Sequence, residues 1–482
     1  MLSYGSDHRT GQVADLEEEK MSSLYEKLIQ HKKRGLIPMH MPGGKGRSIT
    51  GAFPDAFSVD ITEIDGMDDL HHPGGIIKDE MRRCADIYGA DESFFLVNGS
   101  SSGILAALCG ATEYGDKVLL PVNVHLSVIN ALTLRGLKPV YMYPEKSDGG
   151  IFKAVTVDAV REKLQEDPEI RAVFITSPTY EGVVSDIKAI SKITEMKNIP
   201  LIVDEAHGAH FPFSNTFPDN ACRLGADAVV NSTHKTLPTL TQTGLLHLNS
   251  DIINKERVKA FWNMLQTTSP SYVLMGSISA AFDYLTSMKG KEDLKEYIDS
   301  LISLRERLKT KLKNLELFES DDISKIVILT GDGRKLYDAL LEKFHIQPEM
   351  AAEGYVILMT SVSDPKKDLE CLYSALVRLD ESFKKASDSE VKPMPSKMKI
   401  SPAEAFEIRY SGGSEPVDLQ MAEGRTAAET VYIYPPGTPR IVAGEIYSSQ
   451  IIRDIYQAKD KGYEVYGTYD SNRGSYVNVL KD

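Results

Sequence analysis

Polar and ionisable side chains follow five short apolar runs in the first half of the chain. These polar groups lie at residues 98–103, 123–125, 177–180, 204–210 and 232–235. In open parallel sheets, ligands bind beyond the carboxyl ends of the strands. If the apolar runs are strands of such a sheet, the five groups predict one binding site at one of its edges.

Three of the groups predict more specific chemistry. The turn NGSSSG at 98–103 places free backbone N–H groups at a helix start, where they bind anions. Asp204 ends an apolar run, and its carboxylate could hold a cationic ring nitrogen, a metal or a backbone amide. Lys235 follows Ser-Thr-His, and a lysine near cationic groups and an apolar wall has the lowered pKa that an imine-forming amine needs.

Each feature alone has a commoner explanation, such as an ordinary serine N-cap or a solvated lysine. Their order along the chain favours a pyridoxal phosphate site. In such a site the turn binds the phosphate, Asp204 keeps the pyridine nitrogen protonated and Lys235 forms the imine. The chain lacks both a G-x-G-x-x-G after a strand and the Gly-Lys-Ser/Thr of a P-loop, which argues against a dinucleotide or P-loop enzyme.

The elements that must position these residues alternate between strand and helix. Helix-like stretches separate most of six apolar runs, which lie at 94–98, 117–123, 138–144, 172–178, 200–206 and 228–234. This alternation predicts an α/β fold with a parallel sheet covered on both faces. After residue 250 the chain is helix-rich, and strands at 323–330 and 354–360 around a helix at 334–344 predict a smaller α/β domain.

These patterns divide the chain into five parts. A charged stretch with two prolines predicts a linker after the smaller domain. We predict an N-terminal helical segment at 1–36 with its helix at 21–33, a large domain at 37–290, the small domain at 291–383, the linker at 384–400 and a C-terminal domain at 401–482.

Composition excludes several classes of protein. The chain has 482 residues, and its 55 Lys and Arg against 69 Asp and Glu give a formal charge of −14, which argues against nucleic acid as a partner. No secretory signal and no apolar run long enough to span a membrane occur. The four cysteines form no C-x-x-C pair, so we expect a cytoplasmic protein with no membrane partner.

Nine stretches spread over nearly the whole chain carry a family resemblance. They include HMPGGKG at 40, DDLHHPGGIIK at 68, FFLVNGSSSG at 94, VDEAHGAHF at 203, NSTHKTLPTLTQ at 231, QTTSPSYVLM at 266 and YIYPPGTPRIVAGE at 432. With them the sequence resembles the Orn/Lys/Arg decarboxylases of pyridoxal-phosphate fold type I, in the compact form without a wing domain. The resemblance implies a large domain with a mostly parallel seven-stranded sheet, a small α/β domain and a C-terminal α+β domain.

The resemblance also implies roles for individual residues. Lys235 forms the imine with pyridoxal 5′-phosphate, Asp204 pairs with its ring nitrogen, and His125 stacks on the ring. Lys235 or His234 returns a proton to the α-carbon of the substrate. Further residues beside the ring or the phosphate are Ala206, His207, Ser100, Ser101, Ser232 and His234.

Other implied roles concern the substrate and the assembly. Glu349 in IQPEM would bind the cationic end of the substrate, and the carboxylates of DITEID at 60–65 would line the entrance. Thr267 or Thr268 would reach the phosphate of a neighbouring subunit, so we expect a homodimer or a higher homo-oligomer. Gly44 and Leu126 stand where the family usually has histidine and lysine, respectively. The resemblance therefore does not determine which substrate is bound or whether a lid covers the site.

The implied reaction is decarboxylation of a basic amino acid in polyamine metabolism, with arginine favoured over lysine or ornithine. One alternative is an aminotransferase or lyase on the same cofactor; in an aminotransferase, an arginine after residue 300, for example Arg334 or Arg409, would clamp the α-carboxylate. A remote alternative is a metal hydrolase that uses His207-x-x-His210 with His71 and His72, although this spacing is not that of an H-E-x-x-H helix.

Overall fold

The structure is a computed structural model. It describes residues 33–45, 47–52, 56–386, 396–434, 437–471 and 474–481. The predicted helix at 21–33 lies outside the described residues except for its last position.

The described strands agree with the predicted apolar runs but are generally shorter. They are β1 (Ile37–Met39), β2 (Glu92–Leu96), β3 (Lys117–Pro121), β4 (Lys138–Met142), β5 (Ile170–Thr176), β6 (Leu201–Asp204), β7 (Ala228–Asn231), β8 (Gly244–Leu248), β9 (Glu316–Leu317), β10 (Lys325–Leu329), β11 (Ile346–Pro348), β12 (Met350–Ala351), β13 (Tyr355–Met359), β14 (Ser414–Asp418), β15 (Val431–Ile433), β16 (Thr438–Ile441), β17 (Val465–Tyr466), β18 (Tyr469–Ser471) and β19 (Gly474–Leu480).

The described α-helices connect and cover these strands. They are α1 (Ile76–Tyr88), α2 (Gly99–Ala111), α3 (Leu126–Arg135), α4 (Val157–Glu166), α5 (Ile187–Met196), α6 (Thr233–Thr236), α7 (Lys255–Leu265), α8 (Tyr272–Thr286), α9 (Met288–Lys311), α10 (Gly333–Phe344), α11 (Lys366–Leu379), α12 (Pro402–Tyr410) and α13 (Ser449–Asp460). No helix within these described ranges is both long and apolar enough to cross a membrane.

A seven-stranded sheet forms the centre of the large domain, in the order β2-β8-β7-β6-β5-β3-β4. Neighbours from β4 to β7 pair in parallel, whereas β8 runs antiparallel to both β7 and β2. Strands β6 and β7 are buried along their whole length because helices cover both faces of the sheet. The sheet is therefore mostly parallel, as predicted, and the ends of β5, β6 and β7 meet at one edge.

The second half of the chain builds smaller sheets. Strands β12, β13, β10 and β9 form an antiparallel sheet that packs with α9, α10 and α11 around a separate core. The C-terminal part contains two three-stranded sheets, β14-β19-β18 and β16-β15-β17, together with α12 and α13. The boundaries at 290, 383 and 401 stay predictions.

A close approach joins the N-terminal loop to the large domain. The N–H group of Gly43 donates a 2.7 Å hydrogen bond to the carbonyl oxygen of His234. A Cβ atom at residue 43 would lie 2.7 Å from the carbonyl oxygen of Leu237, so glycine is required there. This loop is thereby placed directly beside α6.

The helix α12, the first of the C-terminal part, begins with a capping box. The Ser401 hydroxyl accepts from the N–H of Glu404, and the Glu404 carboxylate accepts from the N–H of Ser401. Because loss of such a cap costs about 1 kcal/mol, we expect Ser401→Ala to make amide hydrogen exchange within Pro402–Tyr410 about fivefold faster.

Ser374→Ala is the matched control. Ser374 is an exposed serine inside α11 whose hydroxyl bonds only the carbonyl oxygen of Glu370. Its exchange pattern should be unchanged, and equal protection of α12 in the wild type and Ser401→Ala would contradict the role of the cap.

Candidate active site

A cavity of about 900 Å³ opens at the carboxyl edge of the seven-stranded sheet. Its inner wall comes from the residues that follow β2, β3, β5, β6 and β7. The small antiparallel sheet and the C-terminal part supply the opposite wall. The cavity brings together most of the predicted site residues: Ser100, Ser101, His125, Asp204, Ala206, His207, His234, Lys235 and Glu349.

Lys235 occupies the short helix α6, directly after the strand β7. Its Nζ atom lies 3.0 Å from Nε2 of His207. Burial lowers the pKa of Lys235, the carboxylates of Asp204 and Glu349 oppose that shift, and the nearby ammonium of Lys325 adds to it. The amine is therefore more readily available in its neutral, nucleophilic form than an ordinary lysine.

Asp204 is the last residue of β6 and is buried at the base of the cavity. Its Oδ1 atom accepts a 3.0 Å hydrogen bond from the N–H of Ala206. Burial raises the pKa of Asp204, and the opposing charge of Lys235 and this hydrogen bond lower it. A cationic partner facing Asp204 would further favour the carboxylate form.

The helix α2 begins at the cavity with small side chains. The Asn98 side chain donates to the carbonyl oxygen of Leu265 and does not cap the helix. The N–H group of Gly99 donates to the carbonyl oxygen of Gln242, so an anion here would be bound by the N–H groups that follow it in the first turn. The hydroxyl of Ser232 donates to that of Ser100 at 2.6 Å. Ser232 is fully buried and does not line the cavity itself, so it orients the Ser100 hydroxyl, which does. Small side chains, hydroxyls and a helix start are the features that a phosphate site needs.

Three histidines surround Lys235, and burial keeps their imidazoles neutral. Burial lowers the pKa of His125 to about 4, with a further contribution from Lys235. The pKa values of His207 and His234 are also lowered, chiefly by burial. His125 caps α3 by accepting from the N–H of Ser127, and Nδ1 of His234 lies 2.8 Å from the carbonyl oxygen of Thr243.

Buried polar atoms without partners also line the cavity. Oδ1 of Asn123, Oγ1 of Thr176 and Nδ1 of His207 are buried and have no hydrogen-bond partner. Unsatisfied buried polar groups are costly, and several in one cavity indicate a polar ligand. A phosphate cradle, a buried carboxylate and a buried amine in one cavity fit pyridoxal 5′-phosphate, which has an anionic group, a ring nitrogen and an aldehyde.

Glu349 forms the opposite wall, between β11 and β12. Its Oε2 atom accepts a 2.7 Å hydrogen bond from the N–H of Met41, and its Oε1 atom accepts from the hydroxyl of Tyr180. The ring of Tyr180 packs edge-on against His207, with centroids 4.7 Å apart. Glu349 is thus a fixed carboxylate that faces the same cavity as Lys235.

Comparisons with known proteins agree with this geometry. Residues 22–355 match the family model described as Orn/Lys/Arg decarboxylase, major domain, and residues 384–469 match that of the Orn/Lys/Arg decarboxylase C-terminal domain. The chain belongs to the Orn/Lys/Arg decarboxylase family. The cofactor of this family is pyridoxal 5′-phosphate, which is the group that the cavity fits.

Individual relatives cover nearly the whole chain. An arginine decarboxylase of Bacillus anthracis is 31% identical over 95% of this chain and 97% of its own length. The uncharacterized protein YaaO of Bacillus subtilis is 33% identical over 90% and 93%. Among solved structures, the lysine decarboxylase LdcF of Francisella novicida has a TM-score of 0.75 at 18% identity, covering 86% of this chain and 73% of that one, which shows the shared fold.

Some predicted residues lie outside the cavity of this single chain. Thr267 and Thr268 are exposed, and the carbonyl oxygen of Thr267 lies 2.8 Å from Nε2 of His71. The carboxylates at 60–65 are exposed and do not line the cavity. Contacts with a neighbouring subunit therefore stay predictions.

The residues required by the alternatives are engaged elsewhere. Arg334 pairs with Asp338, and Arg409 pairs with Glu429; neither arginine lines the cavity. His210 bonds Asp322, away from Lys235, and in the part of the chain that the structure describes no three His, Cys, Asp or Glu side chains are grouped to hold a metal. A clamp by Arg334 or Arg409 and a metal centre are thus without structural support, whereas two other arginines, Arg440 and Arg453, do line the cavity.

Sequence reasoning missed several residues of the site and its surroundings. Lys45 is buried, and its ammonium donates to the carbonyl oxygens of His40 and Met359. Gly437 and Tyr434 of the C-terminal part reach the cavity near His125. Lys45 and Tyr434 lie in two of the stretches that carry the family resemblance, which was the available signal.

Lys235→Ala should remove the covalent attachment of the cofactor. Borohydride reduction after incubation with pyridoxal 5′-phosphate is expected to add the cofactor mass to the wild type at Lys235 and to leave the variant unmodified, as read by peptide mass spectrometry. Lys153→Ala, at a half-exposed lysine that pairs with Glu145, is the control and should behave as the wild type. Fixation of the cofactor at a different lysine of the wild type, such as Lys45, would refute the assignment.

Proposed function

We propose that this protein decarboxylates arginine to the corresponding amine with pyridoxal 5′-phosphate. The observation that carries the proposal is the cavity itself. The Lys235 amine and the Glu349 carboxylate both line it, and they are close enough for the charge of Glu349 to act on the pKa of Lys235. Arginine has an α-carboxyl group, which the reaction would remove at the cofactor held by Lys235, and a cationic guanidinium group, which the Glu349 carboxylate would bind. The arginine decarboxylases among the relatives support arginine over lysine or ornithine.

The residues at the inner wall would hold the cofactor. The cofactor supplies a protonated ring that accepts the electron pair left when carbon dioxide departs. The α2 start with Ser100, Ser101 and Ser232 would bind its phosphate, and Lys235 would bind it covalently. Asp204 would keep the ring nitrogen protonated, because a buried carboxylate there is stabilised by the cation that it faces.

The neutral histidines would shape the reacting space and move protons. His125 would cover one ring face and exclude water, and Gly437 closes over it, since a Cβ atom there would lie 3.8 Å from Nε2 of His125. Lys235, with its lowered pKa, or the neighbouring His234 would return a proton to the α-carbon of the substrate.

Glu349 would recognise the guanidinium group. The N–H of Met41 and the hydroxyl of Tyr180 already hold its two oxygens, so the carboxylate is oriented before a substrate binds. A planar guanidinium pairs well with a carboxylate of fixed orientation. Preorganisation of this kind reduces the entropy cost of binding.

We also propose a cytoplasmic homodimer or higher homo-oligomer with shared active sites. Support comes from Thr267 and Thr268, which are exposed and directly follow Gln266. Gln266 is itself bonded to Val97 and Ser102 at the base of α2, close to the proposed phosphate cradle. All four cysteines are free, which suits a reducing compartment.

The reaction is tested by trapping carbon dioxide from carboxyl-labelled arginine, lysine and ornithine in separate assays. We expect release from arginine together with agmatine. Release from lysine or ornithine alone would change the substrate, and a keto acid without carbon dioxide would replace decarboxylation by transamination.

Glu349→Gln should weaken substrate binding more than chemistry. Loss of the charge should raise KM for arginine roughly tenfold to a hundredfold, the range for a charge-assisted hydrogen bond, with a smaller change in kcat. Steady-state kinetics of carbon dioxide release measure both values.

Glu353→Gln is the matched control on the neighbouring loop. Glu353 also lines the cavity, but its carboxylate pairs with Lys461, 2.5 Å away. Its KM should stay within about twofold of the wild type, and an equal rise in the two variants would mean that Glu349 acts only through the general charge of the cavity.

A further inference from the structure

A buried ion pair lies directly behind the active-site wall. The ammonium of Lys325 at the start of β10 lies 2.8 Å from Oδ2 of Asp322, and both side chains are inaccessible to solvent. Neither residue lines the cavity. Nε2 of His210 lies 3.1 Å from the other carboxylate oxygen, which also accepts from the N–H of Ser324.

The pair contacts two of the loops that carry cavity residues, those that follow β5 and β6. The ammonium of Lys325 lies 3.5 Å from the carbonyl oxygen of His207, whose imidazole lies 3.0 Å from the Lys235 amine. The N–H of Asp322 donates to the carbonyl oxygen of Gly182 at 3.0 Å. Gly182 has a φ of +90°, and a Cβ atom there would meet Lys325 at 3.0 Å, so the loop that carries Tyr180 packs tightly on the pair.

Stability alone does not account for this placement. A buried ion pair usually contributes no more than apolar residues of similar volume, because both charges lose their hydration. Here a single residue, His207, lies between the two lysines: its carbonyl oxygen faces Lys325 and its imidazole faces the Lys235 amine. The pair is therefore positioned to act on the charge state of that amine.

We propose that Asp322 and Lys325 are positioning residues whose buried ion pair supports the His207 backbone and places the Lys325 side chain behind the Lys235 amine. Burial raises the pKa of Asp322, but the charge of Lys325 and the interaction with His210 outweigh it and hold that pKa far below its usual range, so an ionised carboxylate faces Lys325. Burial lowers the pKa of Lys235 most, and Lys325 lowers it further, which favours the neutral amine.

Other charges face these groups and define the background. Asp204 and Glu349 raise the pKa of Lys235, and the buried histidines His125, His207 and His234 beside it are neutral. On the other side, Lys45 and Arg305 lie within electrostatic range of the pair. Substitution of Lys325 also removes its effect on the pKa values of His207 and Lys45, but it leaves in place the charges of Asp204 and Glu349, which act on Lys235 itself.

The test measures the pH dependence of Lys235 labelling by acetic anhydride in the cofactor-free, full-length chain, read by peptide mass spectrometry. Lys325→Met should move the labelling midpoint upward by about one pH unit, equivalent to roughly tenfold slower labelling below the midpoint. The double variant Lys325→Met with Asp322→Asn leaves no unpaired buried charge, which favours folding, and should also move the midpoint upward, by a smaller amount.

Lys309→Met is the control, because Lys309 is a half-exposed cation of the same domain that pairs with Glu319 at 2.6 Å. In this variant the pH midpoint of Lys235 labelling should equal that of the wild type. An unmoved Lys235 midpoint in both Lys325 variants, even with lowered thermal stability, would overturn the proposal and leave the pair a structural element. The inference rests on Lys235 as the cofactor lysine of the proposed function, but labelling requires no turnover, so a failure of the proposed reaction is detected separately.

Discussion

The whole site depends on keeping the Lys235 amine out of water while surrounding it with fixed charges. Burial disfavours the ammonium form, and the carboxylates of Asp204 and Glu349 favour it. Burial alone would favour the neutral form of the lysine but would leave its amine without polar neighbours to orient it. Pairing with a carboxylate alone would favour the charged form, which is not a nucleophile. The proposed role of Lys235 as the cofactor lysine requires both effects, since its amine must be available as a nucleophile and held in place.

The mostly parallel sheet makes this balance possible. Because β5, β6 and β7 run in the same direction, Thr176, Asp204 and the Ser232–Lys235 segment leave the sheet at one edge. The strands themselves are buried on both faces, so they hold these ends rigidly. The first residues of α2 also line the cavity, and the start of a helix provides backbone N–H groups that can bind an anion.

The sequence was sufficient for the inner wall but not for what lies behind it. Asp204 ends one apolar run and Lys235 comes directly after another. Such runs predict where strands end from the sequence alone. Asp322 and Lys325 lie in the charged stretch ESDDISK at 319–325, where nothing in the sequence distinguishes them from the exposed Glu319 and Asp321. Only the tertiary packing buries them near His207. The strand β8 was missed for a related reason: GLLHL is short, and its antiparallel pairing with β2 depends on partners far along the chain.

The C-terminal part shows why the cavity is a property of the whole chain. Val442 packs into the core of the large domain, and Ile433, Tyr434 and Thr438 line the cavity. Gly437, with a φ of +93°, allows this segment to approach the imidazole of His125 closely. Glu349 and its partner Met41 come from two further, distant parts of the chain. A site whose walls come from so many segments can exclude water only when all of them are packed, so its electrostatics and its folding are set by the same contacts.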